Sequence, residues 1–254
     1  MVTVDDIARR LSAYAPAETA EEWDNVGLMT GSRKAQVSAV TVCLDVTDEA
    51  LDFAQKAGAS LIVTHHPLIF HPVRSVRTED LLYRVIRSDM AVLSLHTNLD
   101  KAAGGVNDTL AEKLGLCGVT PAPDGMCRLG RLPSPMTAAD FAAKTAGVLH
   151  TAVRFCDGGR PVERVAVCGG SGGDLLLPLC GKADAVVSGE LRHHEWLALR
   201  RAGVTAVEAG HYATEVGVIE TVAAWLTADF PELSVTVFSG EEPYRTCMPD
   251  TEEE

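Results

Sequence analysis

Short apolar runs alternate with stretches of helical periodicity along most of this chain, and that alternation constrains its fold more than any other feature. Thr3 followed by Asp6 has the form of a helix start, and Val4, Ile7, Leu11 and Tyr14 then recur on one stripe. Residues 40–46 (VTVCLDV) read as a buried strand, 47–57 as a helix with acidic residues in its first turn, and 60–64 as a second buried strand. A helix at 79–87, a strand at 91–95 and a helix at 106–114 continue the series. Strands separated by helices cannot close as hairpins, so the sheet they build is mainly parallel.

Between residues 118 and 130 the periodicity stops and Pro, Gly, Asp and Cys take over, which predicts a domain junction. The same pattern then starts again. Thr137 caps a helix to about 148, 164–168 is a strand, 174–179 begins a helix, 185–188 is a strand, 191–201 a helix and 204–209 a strand. Residues 215–226 form a helix with Val216, Ile219, Val222, Ala223 and Leu226 on one stripe, and 234–238 a last strand. The expected architecture is α/β, with a first domain over 1–124, a second of similar pattern over 125–240, and an acidic, aperiodic tail over 241–254 that frays.

The formal charge of −13 argues against a sequence-independent grip on nucleic acid, which depends on Lys and Arg. No apolar run approaches the ~18 residues of a membrane span. Residues 1–10 lack the basic-then-apolar pattern of a secretory leader, so the expected location is cytoplasmic. Seven cysteines, an odd number without a C-x-x-C pair, do not suggest a disulfide frame or a Cys-rich zinc site, and several sit in apolar runs as small hydrophobes.

In open α/β sheets, sites form beyond the carboxyl ends of the strands. His65 and His66 follow one predicted strand, His96 and Asp100 another, and His211 a third. His211 and Glu215 are four apart at a predicted helix start and share a face, so they can hold a common ion. Neighbouring side chains in extended chain diverge, so adjacent His65 and His66 suit two ions side by side with one imidazole each. Glu215 or Asp100 can bridge them or complete their shells. Mixed imidazole and carboxylate ligands suit divalent Zn, Mn, Fe, Co or Ni better than Ca or Mg. Taken singly, a strand-end histidine is more often a hydrogen-bonding surface or core residue than a ligand, and Asp100 before a Gly-rich stretch can serve merely as a turn cap; convergence of three strand ends carries the metal reading.

Two further segments follow strands. The turn at 169–173 (GGSGG) can present backbone N–H groups to a phosphate, or serve only as a tight turn and helix cap; it matches neither of the common phosphate-binding glycine motifs. Glu190 and His194, four apart, are candidates for a general acid or base, against the alternative of a solvated helix face.

The motifs WDNVGLMTG at 23–31, THHPLIF at 64–70, HTNLD at 96–100, SGELRHH at 188–194 and GHYATE at 210–215 resemble, in order, those of the GTP cyclohydrolase 1 type 2 homologue family, the NIF-three-like proteins. The resemblance implies two interlinked α/β domains, a dinuclear metal site between them, and a toroidal homohexamer whose sites face an inner cavity. It assigns His65, His66, Asp100, His211 and Glu215 as ligands, with Glu215 bridging. The large insertion that some members carry between the halves has no room here. The family label implies hydrolytic opening of the guanine ring of GTP, and a fold and site do not fix a substrate. Two functions are therefore expected as alternatives: a metal-dependent hydrolase of a nucleotide-like or small phosphorylated compound, and a non-catalytic metal-binding or regulatory scaffold. Arg74 and Arg77 are the nearest basic candidates for a phosphate.

Overall fold

The structure, a computed structural model, describes residues 1–247. Strand β1 (Val2–Thr3) runs into helix α1 (Val4–Tyr14), where Thr3 Oγ1 accepts from the Asp6 amide and the Asp6 carboxylate accepts from the Thr3 amide. This reciprocal cap satisfies two donors that a helix start leaves open. After β2 (Gly27–Thr30), β3 (Gln36–Val37) and β4 (Ala39–Cys43) comes α2 (Asp48–Lys56), capped by the Thr47 hydroxyl. Then follow β5 (Leu61–Thr64), α3 (Leu81–Arg87), β6 (Ala91–Ser94), the short α4 (Thr97–Lys101) and α5 (Val106–Lys113).

The later part of the chain contributes β7 (Cys117–Pro121), β8 (Arg128–Met136), α6 (Ala138–Leu149), β9 (Arg154–Cys156), β10 (Val162–Cys168) and a single turn of helix, α7 (Gly173–Leu176). Next are β11 (Ala185–Ser188), α8 (His193–Arg201), β12 (Thr205–Glu208), α9 (His211–Glu215), α10 (Val218–Asp229) and β13 (Ser234–Phe238).

Two main sheets result. One has the order β13-β4-β5-β6-β2, parallel except for β2. Ile7 and Leu11 of α1 with Val218, Ile219 and Val222 of α10 cover one face, and Ala50, Leu51 and Val85 of α2 and α3 cover the other. The second has the order β7-β8-β10-β11-β12-β9 with a parallel centre, β10-β11-β12. Leu110 and Phe141 pack on one face and Leu176 and Leu199 on the other. Coverage of both faces explains why the central strands are apolar runs rather than alternating patterns.

The sheets do not part at residue 124. β7, before that point, is an edge of the second sheet, and α10 and β13, from the chain's end, return to the first, where Ser234 pairs with Ala39 and Phe238 with Cys43. The expected aperiodic junction at 118–130 is largely the antiparallel ladder of β7 and β8, hidden in sequence because β7 is an exposed edge strand whose register shifts between Cys117 and Thr120. The helix expected over 215–226 is two helices broken around Gly217, and the one at 174–179 is a single α-turn followed by a 3-10 turn at Pro178. No helix among the described residues is long and apolar enough to cross a membrane. Of the tail at 241–254, residues 241–247 carry no helix or strand and the rest lie outside the described residues.

Candidate metal centre

The carboxyl ends of β5 and β6 in one sheet and of β12 in the other supply the cluster. β5 ends at Thr64, whose hydroxyl donates to Leu44 O (2.9 Å), and the next two residues are His65 and His66, with amides donating to Cys43 O and Leu44 O. β6 ends at Ser94 and leads into the turn of α4, which carries Asp100. β12 ends at Glu208 and leads through Gly210, at φ +81°, into α9, whose first and last residues are His211 and Glu215. A positive φ there suits glycine.

Five side chains meet in two groups that share Glu215. His65, Asp100 and Glu215 form one; His66, His211 and Glu215 form the other, and within each the ligand atoms lie within 4.8 Å of one another. His65 Nε2 is 3.7 Å from Asp100 Oδ1 and 3.8 Å from Glu215 Oε1. The other oxygen, Oε2, is 3.1 Å from His66 Nε2 and 3.2 Å from His211 Nε2. Buried His65 Nε2, whose approaches of 3.7 and 3.8 Å are too long for a hydrogen bond, and buried Glu215 Oε2 have no hydrogen-bond partner. Orphaned buried polar atoms are costly, and nitrogens and oxygens aimed at a common point fit a cation.

The other ring nitrogen of each imidazole is tied back. His65 Nδ1 is 2.9 Å from Leu95 O, His66 Nδ1 2.8 Å from Asp45 Oδ1, and His211 Nδ1 3.1 Å from Glu190 Oε1. Such contacts fix ring orientation and leave Nε2 for a metal. Glu190 thus stands behind His211. His194 has no hydrogen bond or ion pair to any of these five side chains among the described residues; it lies, exposed, beside exposed Asp174 and buried Glu195, whose carboxylates are engaged by Arg192.

His96 belongs to the constellation although its strand-end position alone did not place it in the ligand set. Its ring centroid is 5.3 Å from that of His65 and 5.6 Å from that of His66, and its Nδ1 is 2.7 Å from Asp24 Oδ1. His65, His66 and His96 form a third group of converging ligand atoms. Asp24, which also takes the Thr97 amide at 3.0 Å, and Asp45 were likewise missed; their only sequence signal is position, in WDN and just after β4.

The glycine-rich turn serves the same centre. Three of its amides donate inward: Gly169 N to Asn107 Oδ1, Gly170 N to Thr214 Oγ1 and Gly172 N to Ser188 Oγ. A Cβ on Gly170, at φ +58°, would fall 2.2 Å from Glu215 Oε1, so only glycine lets the turn close on that carboxylate. Arg74 and Arg77 lie on an exposed segment and make no side-chain ion pair among the described residues.

Charge is strongly coupled here. Burial alone would raise the Glu215 pKa, but His211, His65 and His66 outweigh it and hold the carboxylate well below its usual range. Burial would lower His66 and His211, yet Asp45 with Glu215 push the first up to about 10 and Glu215 pushes the second up to about 9. Burial drives Asp100 up to about 7. Raised above the unfolded value of about 6.5, both histidines stabilise the metal-free fold fully below that pH, and the contribution is lost as pH rises through about 9 and 10. Any metal held there would have to displace those protons, so its affinity would rise over the same window. Calorimetric titration at about pH 7.5 in buffers of differing protonation enthalpy is expected to show release of about two protons; heats independent of buffer would refute it.

Fold and site together define an α/β protein of two sheets with a carboxylate-centred cluster of imidazoles that could hold metal. A model of the Duf34/NIF3 (NGG1p interacting factor 3) family matches residues 2–243, and the chain belongs to that family. It is 37% identical over 245 residues to a Streptomyces coelicolor GTP cyclohydrolase 1 type 2 homolog, covering 89% of this chain and 86% of the relative. It is 31% identical to the homolog of that name from Clostridium perfringens, covering 87% and 89%. Among solved structures, Staphylococcus aureus hypothetical protein SA1388 superposes with a TM-score of 0.87 at 26% identity, covering 96% of this chain and 99% of that one. Reduced HcgD from Methanocaldococcus jannaschii gives 0.81 at 27%, covering 93% and 97%.

Proposed function

We propose that His65, Asp100 and Glu215 hold one divalent ion and His66, His211 and Glu215 a second, in a metal-dependent hydrolase of a nucleotide-like or small phosphorylated compound, with GTP ring opening the named candidate. The observation that carries this reading is the division of Glu215, one oxygen facing each group. When bound, such ions supply Lewis acidity and a water of lowered pKa. The protein's own part is to hold the imidazoles by their Nδ1 atoms, to keep Glu215 ionised, and to seat His96 beside both groups. Glu190, at 3.1 Å from His211, positions that ligand. The resemblance of the motifs further supports a cytoplasmic toroidal hexamer.

The test is turnover by metal-loaded protein of GTP and a panel of nucleotides and phosphoesters. Hydrolysis of at least one, lost on Glu215→Gln, supports the proposal; no turnover with Zn, Mn, Fe, Co or Ni removes it. One observation favours the second reading, a non-catalytic metal-binding scaffold. A cleft of about 570 Å³ beside Asp45 and Tyr212 is lined also by Glu49, Glu241 and Glu242 and, among the described residues, by no Lys or Arg, a poor seat for a phosphate.

A further inference from the structure

We propose that Trp23 and Phe70 form a ring-binding wall at the rim of the metal centre, where they take the planar heteroaromatic part of the ligand. The inference names the ligand class for the centre proposed above and rests on that reading. Trp23 is 61% exposed and Phe70 41%, unusual for large aromatics that lie in contact, with ring centroids 5.9 Å apart at 62°. Both also lie edge-on to His96, at 6.2 and 6.1 Å. His96 in turn touches the rings of His65 and His66. The wall is therefore continuous with the ligand histidines.

These rings are held by their neighbours rather than by burial. Asp24, next to Trp23, has a fully buried side chain bonded to His96 and Thr97. Asn25 Nδ2 donates to Ile69 O at 2.5 Å, which ties the Trp23 segment to the residue before Phe70. Glu21 N donates to Thr97 Oγ1 at 2.9 Å. Anchors on both sides of an exposed indole fix its position while leaving ring surface free. Preorganised aromatic surface binds π-faces without a large ordering cost. A wall without formal charge accepts a base whatever the charge on its substituents, in contrast to the acidic cleft on the Asp45 side.

The test uses the full chain, metal-loaded and metal-free, with guanosine and uridine as ring probes and ribose 5-phosphate as the ringless control. Binding is read by quenching of indole emission and by calorimetry, and metal content is measured on the same samples. Guanosine is expected to bind more tightly than uridine, and ribose 5-phosphate not to quench. Trp23→Leu and Phe70→Leu are each expected to weaken guanosine by about tenfold or more, the scale of one base stack, with metal stoichiometry unchanged. Both positions are exposed, so neither change threatens the fold. Guanosine binding equally well to both variants, or not at all to the parent, would overturn the wall. So would a changed sedimentation coefficient in Trp23→Leu, which would make the patch a contact between copies. Guanosine binding that depends on Trp23 in a protein that takes up no metal would uphold the wall while removing the metal centre.

Discussion

Glu215→Gln is expected to abolish binding at both ion positions, whereas His65→Ala should leave about one ion per chain. The carboxylate sends Oε1 toward His65 and Oε2 toward His66 and His211, so it belongs to both groups while each histidine belongs to one. An amide of the same shape keeps a single oxygen and turns an N–H dipole toward the other position. It also removes the shared negative charge between two cations, whose mutual repulsion is roughly four times that of unit charges at the same separation. Metal titration with circular dichroism as the fold check decides the point. Two ions bound at near-native affinity by Glu215→Gln, with both lost from His65→Ala, would reverse the assignment.

A second large effect is expected far from any ligand atom. Arg128 is 1% exposed at the start of β8 and donates to Asp108, to Gly125 O (3.0 Å) and Met126 O (3.1 Å), and across to Lys101 O (2.9 Å) and Ala102 O (3.1 Å). The last two carbonyls follow Asp100 directly, so the guanidinium latches the ligand-bearing turn to the second sheet. Arg128→Met fills the space but leaves those carbonyls short of donors and Asp108 without its partner. Asp108 is 28% exposed and keeps the Gly104 amide, so the larger loss lies in the carbonyls left unsatisfied, at about 1–3 kcal/mol, and Arg128→Lys should recover little, since an ammonium cannot fork to both segments. Urea unfolding of the metal-free proteins measures it; a loss under about 1 kcal/mol, the scale of an exposed ion pair, would show that the latch carries no such load.

Local patterning decided a good deal of this molecule. Thr3, Thr47 and Thr137 cap the helices their spacing predicts. The apolar runs became parallel strands, since a short run without alternation is stable only when covered on both faces. His65, His66, Asp100, His211 and Glu215 stood at strand ends in the sequence and stand together in space: neighbouring β5 and β6 deliver the first three to one edge, while His211 and Glu215 follow β12 of the other sheet, so only the placing of the two sheets completes the group.

Tertiary structure alone decided the rest. Helical periodicity shows that α10 has an apolar stripe but not which sheet receives it, so nothing local places β13 beside β4, nearly two hundred residues earlier in the chain. Arg128 sits in a stretch whose composition reads as loop, and its acceptors come from segments that become neighbours only after both sheets form. His96 and Asp24 stand in sequence motifs and Asp45 within a predicted strand, but nothing in the sequence pairs them. Their roles arise from which nitrogen faces which oxygen across 2.7 to 2.8 Å, a relation between separate loops that no spacing along the chain encodes.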